Sequence, residues 1–164
     1  MADAHTPSLL LAAVRVAAPR LIAALHAGGH TAIRPRHIGI FAHLDPHGTR
    51  FMTLAERAGL GTPALDALVD ELERLRYLKP RAHAVGRAQL VTPTATALDV
   101  MRLITAFNEH YEMELRRTLG GAAYESFRRS LEILANIGGE PLTDRSTREC
   151  PPRMPAPITD PRPQ

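Results

Sequence analysis

The chain has 164 residues, of which 45% are hydrophobic, so it is long enough for one domain with a sizeable core and too apolar to be disordered throughout. Its net charge of +3 and pI of 9.6 mildly favour an anionic partner, although 19 of the 20 basic residues are arginine, a usage that can reflect a GC-rich genome. Cys150 is the single cysteine, no apolar run approaches the length of a membrane span, and no basic region precedes Leu9. Together these features predict a cytoplasmic protein.

The first predicted helix follows a loose leader of residues 1–7. It runs from Ser8 to about His26, is expected to kink at Pro19, and ends at the Gly28–Gly29 pair. Its apolar residues repeat at alternating spacings of four and three, which is a seam for packing on another helix. The residues of this seam are Leu10, Val14, Ala17, Leu21 and Ala24.

A second helix is predicted from Pro35, and the Asp45–Gly48 run after it has the composition of a turn. Residues Arg50–Met52 are predicted to form a short strand. The apolar positions expected to face the core from this helix are Ile38, Phe41, Ala42 and Leu44.

Residues Thr53–Leu78 have the pattern of two helices joined by a sharp turn. Thr53, three residues before Glu56, is a predicted N-cap, and Gly59 is a predicted left-handed terminus. Thr62 is expected to cap the second helix ahead of Pro63. This is the helix-turn-helix pattern, whose second helix enters the DNA major groove in DNA-binding proteins. The predicted buried stripe of that second helix is Leu65, Leu68, Val69, Leu72 and Leu75.

Extended segments at Tyr77–Arg81 and Gln89–Pro93 predict a β-hairpin wing, and two helices are predicted after it. The first runs from Thr94 to Leu119 and the second ends at about Ile137, with glycine pairs as the breaks. Residues 138–164 hold seven of the fourteen prolines and are predicted to be irregular. The predicted stripe of the long helix is Leu98, Met101, Ile104, Phe107, Tyr111 and Leu115, and that of the last helix is Tyr124, Phe127, Leu131 and Leu134.

Three motifs in this order, LAERAGL, LVDELERLRYL and Arg87 running into LVTPT, resemble those of the MarR family of bacterial transcriptional regulators. The resemblance implies a mainly α fold in one domain at about 8–137, with a winged helix-turn-helix at about 35–93 and dimerisation helices at about 8–28 and 94–137. It also implies a homodimer and a pocket for a small molecule, often an aromatic acid, that releases the operator. One departure is Val85, where the family usually has an aspartate two residues before the wing arginine.

The leading hypothesis is therefore a repressor that binds double-stranded DNA at a near-palindromic operator and is released by a small-molecule effector. Thr62, Pro63, Ala64, Asp66 and Ala67 are predicted to face the bases, where alanine methyls favour thymine and Asp66 can accept from cytosine N4. Because Asp66 and Asp70 also repel phosphates, they are tolerable only if Asp66 meets a base or a nearby arginine holds it. The predicted phosphate contacts are Arg50, Arg74, Lys79, Arg81 and Arg87, with Arg57 and Arg76 close by.

The effector pocket is predicted to involve Arg15, His37, Phe41, His110 and Tyr111. Arg15, Arg20 and Arg36 can bind a ligand carboxylate or serve as interface or surface charges. No metal or cofactor is expected, because no pair of the eight histidines has zinc-ligand spacing with a cysteine. The alternative function is a dimeric ligand- or protein-binding module that has lost DNA binding. An enzyme ranks last, because the sequence has no nucleophile–base pattern and no phosphate-binding glycine loop.

Overall fold

The computed structural model describes residues 5–81 and 89–137, which form six helices and one two-stranded antiparallel sheet. The predicted mainly helical fold class is confirmed. The chain divides into two compact units, Met1–Thr118 and Leu119–Gln164. The elements are α1 (Thr6–Ala27), α2 (Pro35–His43), β1 (Thr49–Arg50), α3 (Phe51–Ala58), α4 (Thr62–Arg74), β2 (Leu90–Val91), α5 (Ala95–Leu119) and α6 (Gly121–Ile137).

Helix α1 begins two residues before the predicted start, because Pro7 lies in its first turn, where proline is tolerated. The helix continues through Pro19 without a break. Only Leu21 and Leu25 are buried along it, whereas the N-terminal part of the predicted seam, including Val14, faces solvent. Residues 1–4 of the predicted leader lie outside the described residues.

By length and composition alone, α1 is the one helix among the described residues that could cross a membrane. The sequence expectation concerned uninterrupted apolar runs, and Arg15 and Arg20 interrupt those of α1. Arg15 and Arg20 would each cost about 2.5–3.5 kcal/mol near a bilayer centre.

Helix α2 begins at Pro35 as predicted, and two of its predicted apolar positions, Phe41 and Leu44, are buried. His37, Ile40 and Phe41 are buried, whereas Ile38 is half-buried and Ala42 is exposed. Hydrophobicity alone did not predict that His37 is buried, where its side chain caps the start of the helix.

The helix-turn-helix forms with shifted starts. Helix α3 begins at Phe51 after Arg50, so the predicted Thr53–Glu56 capping box is wrong and Thr53 lies inside the helix. Gly59 ends α3 with φ +63°, which confirms the predicted left-handed terminus. Helix α4 is capped by the backbone at Gly61, and Thr62 is its first residue instead of its cap.

The sheet pairs β1 with β2, with Thr49 opposite Val91 and Arg50 opposite Leu90. The predicted strand at Arg50–Met52 is therefore wrong beyond Arg50, because α3 already begins at Phe51. The two predicted hairpin segments do meet.

Two backbone hydrogen bonds join those segments. The Lys79 N–H donates to the Thr92 carbonyl at 2.9 Å, and the Thr94 N–H donates to the Tyr77 carbonyl at 2.9 Å. The residues between the segments, 82–88, which include Val85 and Arg87, lie outside the described ranges.

Helix α5 buries Ala97, Val100 and Ile104, a face next to the predicted one, so Leu98 is 40% exposed. This face packs in one core with α1 to α4, and the core includes Ile33, Ile40, Leu54, Leu65, Val69 and Leu72. Helix α6, in the second compact unit, follows Gly120, whose φ is +82°. Its residues Phe127, Ile133 and Leu134 are exposed. The predicted tail at 138–164 lies outside the described residues.

Candidate nucleic-acid interface

Helix α4 is anchored to the core by one face and presents the opposite face to solvent. Leu65, Val69 and Leu72 are each fully buried, at spacings of four and three that keep them on one side. The residues predicted to face bases, Thr62, Pro63, Ala64, Asp66 and Ala67, are all exposed.

Three of the predicted phosphate ligands, Arg50, Arg74 and Lys79, are exposed around α4. Arg50 lies on β1 immediately before α3, and the Arg74 Nε donates to the Asp70 carbonyl at 3.3 Å. Arg57 forms an ion pair within the protein, because its Nη1 lies 3.0 Å from Asp45 Oδ2. The guanidinium of Arg57 lowers the pKa of the Asp45 carboxyl.

Arg76 is exposed directly after α4 and has φ +63°, the left-handed region that favours glycine. Its backbone carbonyl accepts a hydrogen bond from the Thr94 hydroxyl at 2.9 Å. This strained residue turns the chain from α4 toward the segment of Lys79.

Arg81 does not have the role of an exposed phosphate ligand predicted for it. Only 1% of its side chain is exposed, and its guanidinium contacts three carboxylates of α4, those of Asp66, Asp70 and Glu73. The sequence allowed that an arginine near Asp66 would hold it, but did not assign that arginine. Which arginine reaches Asp66 depends on the path of the chain after α4.

A cavity of about 780 Å³ lies beside the exposed start of α4. Apolar side chains of α3 and α4 and a few polar groups form its wall, so it is a groove next to the surface predicted to bind DNA. Its lining residues are Arg50, Phe51, Met52, Thr53, Thr62, Pro63, Asp66 and Gln89.

The residues predicted to bind an effector are not brought together. Arg15 is exposed on α1 and His110 is exposed on α5, whereas Tyr111 is half-buried. Phe41 is buried and packs edge-on against Tyr77, with ring centroids 6.0 Å apart.

His37 is fully buried and acts as a cap of α2. Its Nδ1 accepts from the Arg34 N–H at 3.2 Å, so the proton of the neutral ring lies on Nε2. Nε2 is 3.2 Å from Glu71 Oε2 but is not aligned as a hydrogen bond, so the contact is electrostatic. The side chain of His37 is therefore buried in the core between α2 and α4.

Arg36 and Glu71 join α2 to α4. Arg36 Nη2 lies 2.5 Å from Glu71 Oε1, and Arg36 Nε donates to Oε2 at 3.1 Å. Hydrogen bonds from Arg36 first, and then the contact with His37, lower the pKa of Glu71 to about 2. Of the alternatives open for Arg36, the structure places it in this ion pair.

Arg20 joins α1 to α5 in a similar way. Its Nη2 lies 2.6 Å from Glu114 Oε2, and its guanidinium lies 5.1 Å from the Tyr111 ring centroid. Tyr111 also stacks on Phe107, with centroids 5.8 Å apart. The hydrogen bond from Arg20 lowers the pKa of Glu114.

A partly buried polar cluster that the sequence did not indicate connects three separate parts of the chain. His30 Nε2 is 2.9 Å from Asp99 Oδ2, and His30 Nδ1 is 3.3 Å from the Tyr77 hydroxyl. With the proton on Nε2, the Tyr77 hydroxyl donates to Nδ1. These residues lie 47 and 69 positions from His30, so no local pattern could have linked them. Within the described part of the chain, no group of three His, Cys, Asp or Glu residues is placed to hold a metal.

Solved structures of MarR-family regulators share this fold. S. aureus MepR in a DNA complex is 16% identical with a TM-score of 0.66, and the match covers 82% of this chain and 99% of that one. A MarR-family transcriptional regulator from Rhodococcus sp. RHA1 is 19% identical with a TM-score of 0.61, covering 79% and 91%. A Mycobacterium tuberculosis MarR-family protein in complex with salicylic acid is 24% identical with a TM-score of 0.56, covering 81% and 98%.

No protein-family model and no curated protein matches the sequence. The likeness is therefore one of fold: the chain has the winged helix-turn-helix fold of MarR-family transcriptional regulators. The fold that the sequence motifs predicted is confirmed.

Proposed function

We propose that this protein is a MarR-type transcriptional regulator, a homodimer that binds a near-palindromic operator and acts as a repressor. The observation that carries the proposal is the exposed face of α4, with Thr62, Ala64 and Ala67 at its start. Arg50 and Lys79 are exposed beside it. Such an arrangement lets a helix reach base edges while flanking cations contact phosphates.

Dimerisation is supported by apolar side chains that the described residues of this chain leave exposed. Leu9, Leu11, Val14 and Val16 on α1 are each between 56% and 60% exposed. Monomeric proteins rarely expose apolar patches of this kind. A second copy, with its own α1, is the occupant that a symmetric dimer supplies.

DNA binding is tested by fluorescence anisotropy on the duplex upstream of the gene and on a random duplex, across a salt titration. We expect tighter binding to the upstream duplex and a steep loss of affinity with salt on both. Lys79→Gln should lower the slope by about 0.9, the value for one phosphate contact. Glu56→Gln, an exposed change on α3, is the matched control. Failure to bind either duplex at about 50 mM salt, where phosphate contacts are strong, would refute the proposal.

The proposed effector is an aromatic acid. A protein of the same fold has been solved with salicylic acid, and the exposed Arg15 can pair with a carboxylate. His37 and Phe41 are not part of the proposed effector site, because both are buried in the core. Salicylate is the probe: it should raise the melting temperature and release the duplex, and Arg15→Gln should weaken both effects. A salicylate response unchanged in Arg15→Gln would remove that residue from the proposal.

The second candidate is a dimeric module of the same fold that does not bind DNA. The observation that favours it is the composition of α4, which carries Asp66, Asp70, Glu71 and Glu73 and no basic residue before Arg74. This candidate predicts salicylate stabilisation with no binding to either duplex.

A further inference from the structure

Arg81 is a buried cation that contacts the acidic side chains of α4, the helix proposed to enter the DNA major groove. Its Nε donates to Glu73 Oε1 at 2.8 Å, its Nη1 donates to Asp66 Oδ1 at 2.9 Å, and its Nη2 donates to Asp70 Oδ1. The Arg81 N–H also donates to Glu73 Oε1 at 3.2 Å, and the guanidinium lies 5.3 Å from the Phe51 ring centroid. Phe51 and Glu73 therefore fix the guanidinium in one place.

The two ends of the Arg81–Asp66 contact differ in exposure. The Arg81 side chain is 1% exposed and out of reach of a phosphate, whereas the Asp66 side chain is 52% exposed on the face predicted to meet bases. Burial alone would lower the pKa of Arg81, but the hydrogen bonds that Arg81 donates to Asp66 and Glu73 outweigh it, so the pKa is raised and the guanidinium stays charged. A fixed cation behind an exposed carboxylate orients that carboxylate.

We propose that Arg81 is a positioning residue for sequence recognition, which orients Asp66 so that its carboxylate accepts a hydrogen bond from a cytosine N4 amino group in the major groove. The inference rests on the proposed DNA-binding function. It replaces the predicted role of Arg81 as a phosphate ligand with one that acts only through Asp66.

Cytosine is the base that suits a carboxylate, which accepts hydrogen bonds and donates none. In the major groove cytosine presents the N4 amino donor, whereas adenine presents its N6 donor beside the N7 acceptor. N7 would repel a carboxylate oxygen, and an amide side chain suits adenine better. Asp66 lines the same groove as Thr62 and Pro63 at the start of α4. The start of a recognition helix is the part that contacts base edges.

The test is selection of binding sites from randomised duplexes by the full-length wild type, Asp66→Asn, Arg81→Gln and the double variant. Wild type should prefer cytosine at one position in each half-site by about tenfold, within the range of a good side chain–base pair. Asp66→Asn and Arg81→Gln should each lose that preference, and the double variant should lose no more than either one. Lys79→Gln is the control for a phosphate contact and should keep the preference while binding all sites more weakly.

The outcomes separate the two proposals. If wild type binds no duplex, the DNA-binding function fails and this inference fails with it. If wild type binds but Arg81→Gln keeps the cytosine preference and lowers the salt slope as Lys79→Gln does, only this inference fails. If Arg81→Gln does not fold, Asp66→Asn decides, because Asp66 is exposed; unchanged base preference in that variant would overturn the inference.

Discussion

The helix-turn-helix lobe (α2 to α4 with β1 and β2) and the first half of α1 use the same kinds of residue but differ in what covers them. In the lobe, Ile40, Leu54 and Leu65 are fully buried by this chain alone. On α1, Leu11 and Val14 are 59% and 60% exposed. The lobe shares one core with the second half of α1 and the first half of α5, whereas the described residues leave the apolar side chains on the first half of α1 exposed.

The largest effect is expected from opening the core of the lobe. Leu65→Ala should lower the free energy of unfolding by about 2–5 kcal/mol, the range for a buried leucine that leaves a cavity. Urea denaturation measures it. Leu68→Ala, at a half-buried position of the same helix, is the matched control and should cost less. Equal losses in the two variants would contradict the assigned buried face of α4.

The next effect concerns α1. Val14→Glu should abolish dimerisation at micromolar concentration, because it places a charge in a surface that must be desolvated on association. Light scattering should change from twice 17.9 kDa for wild type to 17.9 kDa for the variant. Met52→Glu changes a residue of similar exposure on α3 and should leave the mass unchanged. A wild-type mass of 17.9 kDa would end the dimer proposal.

A smaller effect tests the backbone conformation of the lobe at the end of α4. Arg76→Gly should stabilise the protein by roughly 0.5–1 kcal/mol, because glycine adopts the left-handed conformation without a Cβ clash. Arg74→Gly, inside α4, should instead destabilise it by about 1 kcal/mol. Thermal unfolding of both variants measures the contrast. A destabilised Arg76→Gly would mean that the side chain contributes more than its backbone strain costs.

The smallest effect is the acid sensitivity of the pair that joins α2 to α4. The pKa of Glu71 is about 2 in the folded chain, below its ordinary value of 4.5, so the carboxylate stabilises the fold above about pH 4.5. That contribution is lost as the pH falls from 4.5 toward 2. Melting temperatures of Glu71→Gln should therefore fall less steeply through this window than those of wild type.

Two comparisons assign the acid effect to Glu71. Glu56→Gln removes an exposed carboxylate on α3 and should follow the wild-type curve. Hydrogen bonding to Arg57 and Arg20 also lowers the pKa values of Asp45 and Glu114, so wild type loses stability for several reasons, and only the difference between variants reports Glu71. Parallel curves for wild type and Glu71→Gln would exclude the proposed contribution.

Much of the fold could be predicted because its signals are local. Gly59, Pro35 and the apolar repeat of α4 predicted a turn, a helix start and a buried stripe, and each acts within a few residues of itself. The predicted faces of α2 and α5 were less successful, since hydrophobicity did not reveal that His37 is buried or that Leu98 is exposed.

The sequence by itself determined the order of helices, the sharp turn before α4 and the exposed start of that helix, because backbone propensity and helical period act over short distances. Only the tertiary structure decided which charged side chains remain exposed to a binding partner and which form ion pairs within the protein. Arg81 and Asp66 are 15 residues apart, and His30 and Asp99 are 69 apart, so each pair exists only where packing brings separate segments together. A local pattern can place an arginine near a recognition helix, but whether it faces solvent or three carboxylates depends on the path of the chain between them.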